Sequence, residues 1–499
     1  MSRQRFYITT AIPYVNGDPH IGFALECVQA DVLARHRRLR GEHVRFLSGT
    51  DDNSLKNVEA AAAAGLPVAE FVDAKAARFA ALTDPLALSY DDFIRTSVDD
   101  RHRPGVERLW RACAAAGDLY EREYEGLYCV GCEAFVSPDE LADGLCPEHG
   151  APPENVAERN WFFRLSRYED ELRLLIENGQ LRVEPEHRRN EALSFVASGL
   201  ADFSVSRSRE RAQGWGVPVP DDPGQVIYVW FDALANYITA LDYGTDGEGY
   251  PTWWKTAADR VHVIGKGILR FHAVYWPAIL LSAGEPLPTT IYVHDYITVD
   301  GTKLSKSRAV TSDPTVLADR YGTDALRWWF LRDGPRTGDA DFREEQLAAR
   351  ANELADDLGN LVNRTITLVN RFRPGGVDSS AGPPDDADAL LAAVAEAPGS
   401  IAAALDRFDF RAATNSLWNV VTEANRFVSA TRPWELGKAE RGGNAAAARR
   451  LDGVLVALLD ACAATARELQ PFLPQAAARI DAALANRDAE LGRTLFAKA

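Results

Sequence analysis

Near the amino end the apolar positions change period twice. Phe6 to Thr10 is a short run of β-favouring residues, Ala11 to Pro19 carries Pro, Asn and Gly, and Ile21, Leu25, Val28 and Val32 then recur at helical spacing. Gly41 ends that helix, and Val44 to Leu47 begins another β-rich run. Strand, helix and strand in this order form a βαβ unit, which predicts a parallel sheet with ligands at the carboxyl ends of its strands. Val226 to Trp230, Val261 to Ile264 and Ile291 to Val293 read as further buried strands, so residues 118–223 read as an insertion that splits one nucleotide-binding domain. After Asp333 the β-branched runs thin out. Leu354, Leu358, Leu361, Val362 and Val369 mark one face of a long helix, Pro374 to Asp388 reads as a loop, and alanine-rich segments to Phe496 complete a bundle.

Composition narrows the class. A chain of 499 residues, 46% hydrophobic, has material for roughly two to four domains. No apolar run approaches the roughly 20 residues a membrane span requires, and Met1 to Arg5 leads into a strand without a signal-peptide core, so no membrane partner and a cytoplasmic location are expected. The net charge of -17 repels polyanions at long range, so contact with nucleic acid requires a local basic patch. The six cysteines are too few for a disulfide framework at this length; Cys27, Cys113 and Cys462 read as buried and inert.

Three constellations carry chemistry. Gly17 and Gly22 have the spacing of a P-loop, but Phe23 and Ala24 stand where that motif needs Lys and Ser or Thr. The backbone N–H groups opening the helix at Ile21 still make an anion site, Gly22 permits close approach of a nucleotide, and His20 can donate to phosphate. Far downstream, Gly301-Thr-Lys-Leu-Ser-Lys-Ser-Arg308 places Lys303 and Lys306 on a loop, where two ammonium groups could neutralise a pentacoordinate α-phosphate and departing pyrophosphate. Cys129-x2-Cys132, thirteen residues, then Cys146-x2-His149 supplies four ligands in two tight pairs, suited to a structural tetrahedral Zn²⁺. A redox pair is the competing reading of Cys129 and Cys132; the second ligand pair favours zinc.

With Pro13-Tyr-Val-Asn-Gly-Asp-Pro-His-Ile-Gly-Phe23 and the paired-lysine loop, the chain resembles class I aminoacyl-tRNA synthetases, and over nearly its whole length the methionyl-tRNA synthetase family. The resemblance implies ATP, L-methionine and initiator and elongator tRNA(Met) as partners, with Mg²⁺ accompanying ATP. It implies an ATP site at Gly17, His20, Gly22, Lys303 and Lys306, with Arg207 assisting activation. It further implies a methionine pocket of Ala11, Ile12, Tyr14, Asp51, Trp230, Ala233, Leu234, Tyr237, Ile268, His272 and Trp276, with a polar contact to sulfur from Tyr14 or His272. Anticodon readers are implied at Asn360, Arg364 and Trp434.

The chain departs from the family pattern at Phe23, which replaces a second signature histidine, at Leu304, which replaces a methionine, at Asp52-Asn53-Ser54, where the family more often has Glu-His-Gly, and at Gly267, which replaces an aspartate. These departures keep two alternatives open, an adenylate-forming relative that serves a small acceptor, and a non-catalytic tRNA-binding relative.

The expected architecture is an α/β, Rossmann-type parallel-sheet catalytic domain (1–117 and 224–300) split by a zinc-containing insertion (118–223, knuckle 126–152). A lysine-loop junction (301–345) and an all-α anticodon-binding helix bundle (346–499) follow. The chain stops at Ala499 without the further carboxyl-terminal module some relatives append, which predicts a monomer.

Overall fold

The computed structural model describes residues 4–129, 134–136, 138–147, 150–245, 247–299, 302–303 and 313–496. It divides into two compact units: Met1–Pro19, Gly41–Ala81 and Ser89–His294 make the first, and His20–Arg40, Leu82–Leu88 and Asp295–Ala499 the second.

The first unit is built on a six-stranded sheet of β1 (Arg5–Thr10), β2 (His43–Thr50), β3 (Asp92–Arg95), β4 (Arg182–Glu184), β5 (Asp259–Gly265) and β6 (Thr290–His294). All its pairings are parallel, in the spatial order β3-β2-β1-β5-β6-β4. The chain runs outward from β1 to β2 and β3 on one side and from β5 to β6 on the other, so the order reverses between β1 and β5. A crevice for ligands opens at the carboxyl ends of strands at such a reversal. Gly49, opposite Ile94, is required there: a Cβ would meet the Ile94 carbonyl oxygen at 2.2 Å.

The expected strand from Val226 to Trp230 is corrected. Only Asp222–Ile227 is extended, and it pairs antiparallel with Ser206–Ser208 rather than joining the parallel sheet; Val229–Thr239 is helical. A short apolar run suits a buried helix start as well as a strand, and period alone does not separate them. The edge strands β3 and β4 escaped notice because each is only three or four residues long and charged, as edges commonly are. Within residues 118–223 a second sheet pairs Leu119–Cys129 antiparallel with Ala134–Val136 and with Glu154–Phe163.

In the second unit, the helix Ile21–Leu39 carries a fully buried Asp31, and Arg327 meets it from the helix Thr323–Arg332 at 2.8 Å. Arg327 also donates to the carbonyls of Leu86, Pro471 and Phe472, so this buried guanidinium ties four stretches of chain together. Helical turns run on from Glu344 through Phe372, and all five apolar residues expected on their buried face are buried. The bundle continues in Asp388–Leu405, Phe410–Thr431, Ala445–Leu469 and Pro474–Asn486.

Among the described residues one stretch, Asp385–Leu405, is long and apolar enough to cross a membrane by length and composition, with mean hydropathy 1.4. The expectation that no run approached that length is corrected. Alanine supplies the hydropathy, and Leu390, Ala393, Ala397, Ile401 and Leu405 are buried within the fold, as a bundle helix requires.

Candidate active site

The carboxyl ends of β1, β2 and β5 bring the expected amino-acid pocket together in the first unit. Asp51 follows β2, is 2% exposed, and is fastened to the loop after β1: its N–H donates to the Pro13 carbonyl at 2.9 Å, and it bridges to Tyr14. The Tyr14 ring stands edge-on to Trp230, with ring centres 6.2 Å apart, and Lys56 Nζ lies 4.6 Å from its centre. Trp230 stacks on Phe271 at 3.8 Å, and its indole N–H is buried with no hydrogen bond among the described residues. Ala233, Leu234, Tyr237, His272 and Trp276 are buried, and Ile12 and Ile268 pack at the edge of the same core.

Two histidines in this pocket have determined tautomers. The Ile268 carbonyl only accepts, so His272 donates to it through Nδ1 (3.0 Å), and its Nε2 then accepts the Tyr237 hydroxyl at 2.7 Å. The Trp276 indole only donates, so His262 Nε2 accepts from it (3.3 Å) and His262 Nδ1–H donates to the Thr9 hydroxyl at 2.8 Å. Burial lowers the His272 pKa to about 4; burial, then His272 and Arg260, hold that of His262 well below the ordinary imidazole value. Both rings are neutral at physiological pH. Tyr237 stacks on His262 at 4.0 Å, joining the two pairs into one wall.

Behind Asn53 lies a second buried network. Asn53 Nδ2 donates to Asp232 Oδ2 at 2.8 Å and to the Thr96 carbonyl at 3.3 Å. Asp232 Oδ1 pairs with His102 Nε2 at 2.9 Å, and His102 Nδ1 with the Thr239 hydroxyl at 2.8 Å. His102 and Thr239 are fully buried, and Asp232 is 1% exposed.

Arg207 is buried, with Nη1 donating to Ser204 Oγ and to the Ser206 carbonyl. Its guanidinium lies over Tyr228 at 4.4 Å and Tyr128 at 5.1 Å.

In the second unit His20 caps the helix Ile21–Leu39. Its Nδ1 accepts the Gly22 N–H at 3.1 Å, so the neutral ring carries its proton on Nε2. That N–H, expected among the anion donors, is thus used by the cap. Phe23 is 9% exposed. Lys303 ends the short strand Thr302–Lys303, which pairs with Ile297–Val299; Lys306 lies outside the described residues. Asn360 and Arg364 are exposed one helical turn apart, and Trp434, 36% exposed, sits in the first turn of Pro433–Arg441. Of the expected zinc ligands, Cys129 and Cys146 are each 2% exposed, while Cys132 and His149 lie outside the described residues.

The sequence model described as "tRNA synthetases class I (M)" matches residues 6–154 and 132–366, and "Anticodon binding domain of methionyl tRNA ligase" matches residues 377–497. Methionine–tRNA ligase of Caldanaerobacter subterraneus subsp. tengcongensis is 40% identical over 476 residues, 95% of this chain and 72% of that protein. That of Brucella suis is 39% identical over 485 residues, 96% of this chain and 92% of that one. The chain belongs to the methionyl-tRNA synthetase family. A structure of Mycobacterium tuberculosis methionyl-tRNA synthetase in complex with methionyl-adenylate superposes with a TM-score of 0.89 at 39% identity, covering 96% of this chain and 93% of that one.

Membership in the methionyl-tRNA synthetases accounts for the Rossmann-type sheet and the all-helical end of the chain. His262 is the one polar residue of the buried run Val261–Ile264, and that is its signal. His102 and Asp232 carried none, because their partners lie 130 residues apart in sequence.

Proposed function

We propose that the chain activates L-methionine with ATP and transfers it to the 3′-terminal adenosine of tRNA(Met), initiator and elongator alike. The methionine carboxylate attacks the α-phosphorus, the bond from α-phosphorus to the bridging oxygen breaks, and pyrophosphate leaves. A hydroxyl of the terminal ribose then attacks the aminoacyl carbonyl, releasing AMP. A carboxylate is already a competent nucleophile, so positioning and charge stabilisation supply the rate.

Asp51 anchors the substrate ammonium. Ala11, Ile12, Trp230, Ala233, Leu234, Tyr237, Ile268, His272 and Trp276 enclose the side chain, with aromatic edges suited to a polarizable thioether. Because both nitrogens of His272 are committed, Tyr14 gives the polar contact to sulfur. Gly17, His20, Gly22, Lys303 and Lys306 hold ATP and the developing phosphate charge, and Arg207 adds a fixed positive charge during activation.

Mg²⁺ bound with ATP would supply positive charge at the phosphates, beside the charge that Lys303 and Lys306 provide. The two described thiols, buried and carried on the strand Leu119–Cys129 and on a turn in which the Gly150 N–H returns to the Cys146 carbonyl, fit a structural zinc. Cys129, Cys132, Cys146 and His149 would hold it. Asn360, Arg364 and Trp434 read the anticodon, Trp434 by stacking. The domain limits are those expected above, and the protein acts as a cytoplasmic monomer.

The observation that supports this reading is the neutral Tyr237–His272 and Trp276–His262 wall, connected through Trp230 and Tyr14 to Asp51. Incubation with methionine, ATP and pyrophosphatase, followed by gel filtration, should yield protein-bound methionyl-adenylate. Recovery of free amino acid alone would overturn the reading.

A further inference from the structure

Two parts of the proposed methionine site stand on separate elements. Asp51 follows β2, whereas Trp230, Ala233, Leu234 and Tyr237 ride on the helix Val229–Thr239. We propose that the buried chain Asn53–Asp232–His102–Thr239 is a brace that holds this helix at a set distance from Asp51, with Asp232 and His102 as positioning residues for selection by side-chain length. The proposal rests on the methionine-activating function above.

At one end the brace touches the carboxylate that anchors the ammonium. The Asn53 backbone N–H donates to Asp51 Oδ1 at 3.2 Å, and its side chain donates to Asp232 Oδ2 at 2.8 Å and to the Thr96 carbonyl at 3.3 Å. Both amide partners are oxygens that only accept, so the amide has one orientation. Asn53 therefore joins the Asp51 loop to the helix directly.

At the other end His102 spans two turns of that helix. Asp232 and Thr239 are seven residues apart and lie on one face. The Asp232 carboxylate only accepts, so His102 carries a proton on Nε2 and donates it across 2.9 Å, while the Thr239 hydroxyl stands 2.8 Å from Nδ1. A buried polar chain in which each member is bonded rigidifies the elements it joins.

The close approach of the two helices is built for this contact. Gly105 lies on the helix His102–Ala115, one turn from His102, and a Cβ there would meet Thr239 Cγ2 at 2.4 Å. Glycine at that position lets His102 come within reach of both partners at once. A misplacement of about 1 Å in a bound substrate costs about 10²-fold in rate, and one methylene of misfit is worth about 10- to 200-fold in discrimination. Loosening the helix from Asp51 therefore acts on methionine and its length variants and leaves ATP binding alone.

Asp232→Leu in the full chain, read by pyrophosphate exchange, tests this. We expect the KM for methionine to rise about tenfold and the KM for ATP to stay within about twofold. The preference in kcat/KM for methionine over ethionine, one methylene longer, should fall at least about fivefold. Asp232→Asn should recover both to within about threefold, because its amide oxygen accepts from Asn53 and its N–H donates to His102 once the ring proton moves to Nδ1. Asn53→Ala, at a partly exposed position, cuts the same brace and should reproduce the losses if Asp232→Leu does not fold. Equal rises in both KM values, an unchanged preference over ethionine, or no recovery in Asp232→Asn would overturn the brace. An unmodified protein without methionine-dependent exchange would overturn the function on which it rests.

Discussion

Tyr237 donates its hydroxyl proton to Nε2 of His272 across 2.7 Å, in a pocket where both residues are 1% exposed. Removing the hydroxyl leaves a buried ring nitrogen without a donor, a loss of about 1–3 kcal/mol. Tyr237→Phe should therefore lower kcat/KM for methionine by roughly 5- to 150-fold while leaving the KM for ATP unchanged, as read by pyrophosphate exchange. An equal change in both constants would show that the pair does not belong to the amino-acid pocket.

The same burial links stability to pH. His272 has a folded pKa of about 4 against an ordinary value of 6.5, because burial disfavours its charged form, and His36 in the other unit is lowered likewise by burial and by Arg40 and Arg37. Between those two values the unfolded chain binds more protons than the folded one, so stability falls as pH drops from about 6.5 to about 4 and is fully present above that window. Urea midpoints measured from pH 7 to pH 5 should decline, and His272→Gln should decline less steeply. Parallel slopes would contradict the assignment.

Phe23 is buried at the position where the family pattern has a second histidine, so the proposed phosphate site would be one donor short. Loss of one such donor costs about 10² to 10³ in rate. Phe23→His should raise kcat of activation by at least about tenfold and lower stability by roughly 1–3 kcal/mol, because a polar ring is then buried. Unchanged pyrophosphate exchange in a folded variant would show that the missing donor does not limit turnover.

Zinc content is a direct readout of the cysteine pairs. The purified chain should carry about one zinc per molecule by elemental analysis, and Cys129→Ser with Cys146→Ser should carry none. Zinc retained by the double variant would mean that the metal is held elsewhere.

Arg327, fully buried, bonds to Asp31 and three carbonyls, and Arg35 also bonds to Asp31. Arg327→Met leaves those acceptors buried with fewer donors and should cost about 3–5 kcal/mol in chemical unfolding. A loss below about 1 kcal/mol would show that Arg35 alone suffices for the carboxylate.

What could be read in advance follows from the range of the signals. β1, the helix from Ile21, β2, β5 and β6 announce themselves because their apolar periods are local, and the Leu354 to Val369 face does so for the same reason. The five apolar residues Val226 to Trp230 have no period to read, so strand and helix start look alike there. Tyr14, Asp51, Tyr237 and His272 were found through motif resemblance, and the fold brings them to one end of one sheet. Asn53 was noticed only as a departure; that its amide is oriented by Asp232 and His102 depends on contacts 179 and 130 residues apart, which no local pattern encodes. The partners of Thr9 and His262 are similarly remote, 253 residues apart.

The most direct measurement is pyrophosphate exchange across a panel of amino acids, followed by charging of initiator and elongator tRNA(Met) by the same preparation. The account predicts exchange that depends on L-methionine and charging of both tRNAs. Exchange with another amino acid, no exchange, or exchange with methionine but no charging of either tRNA would contradict it.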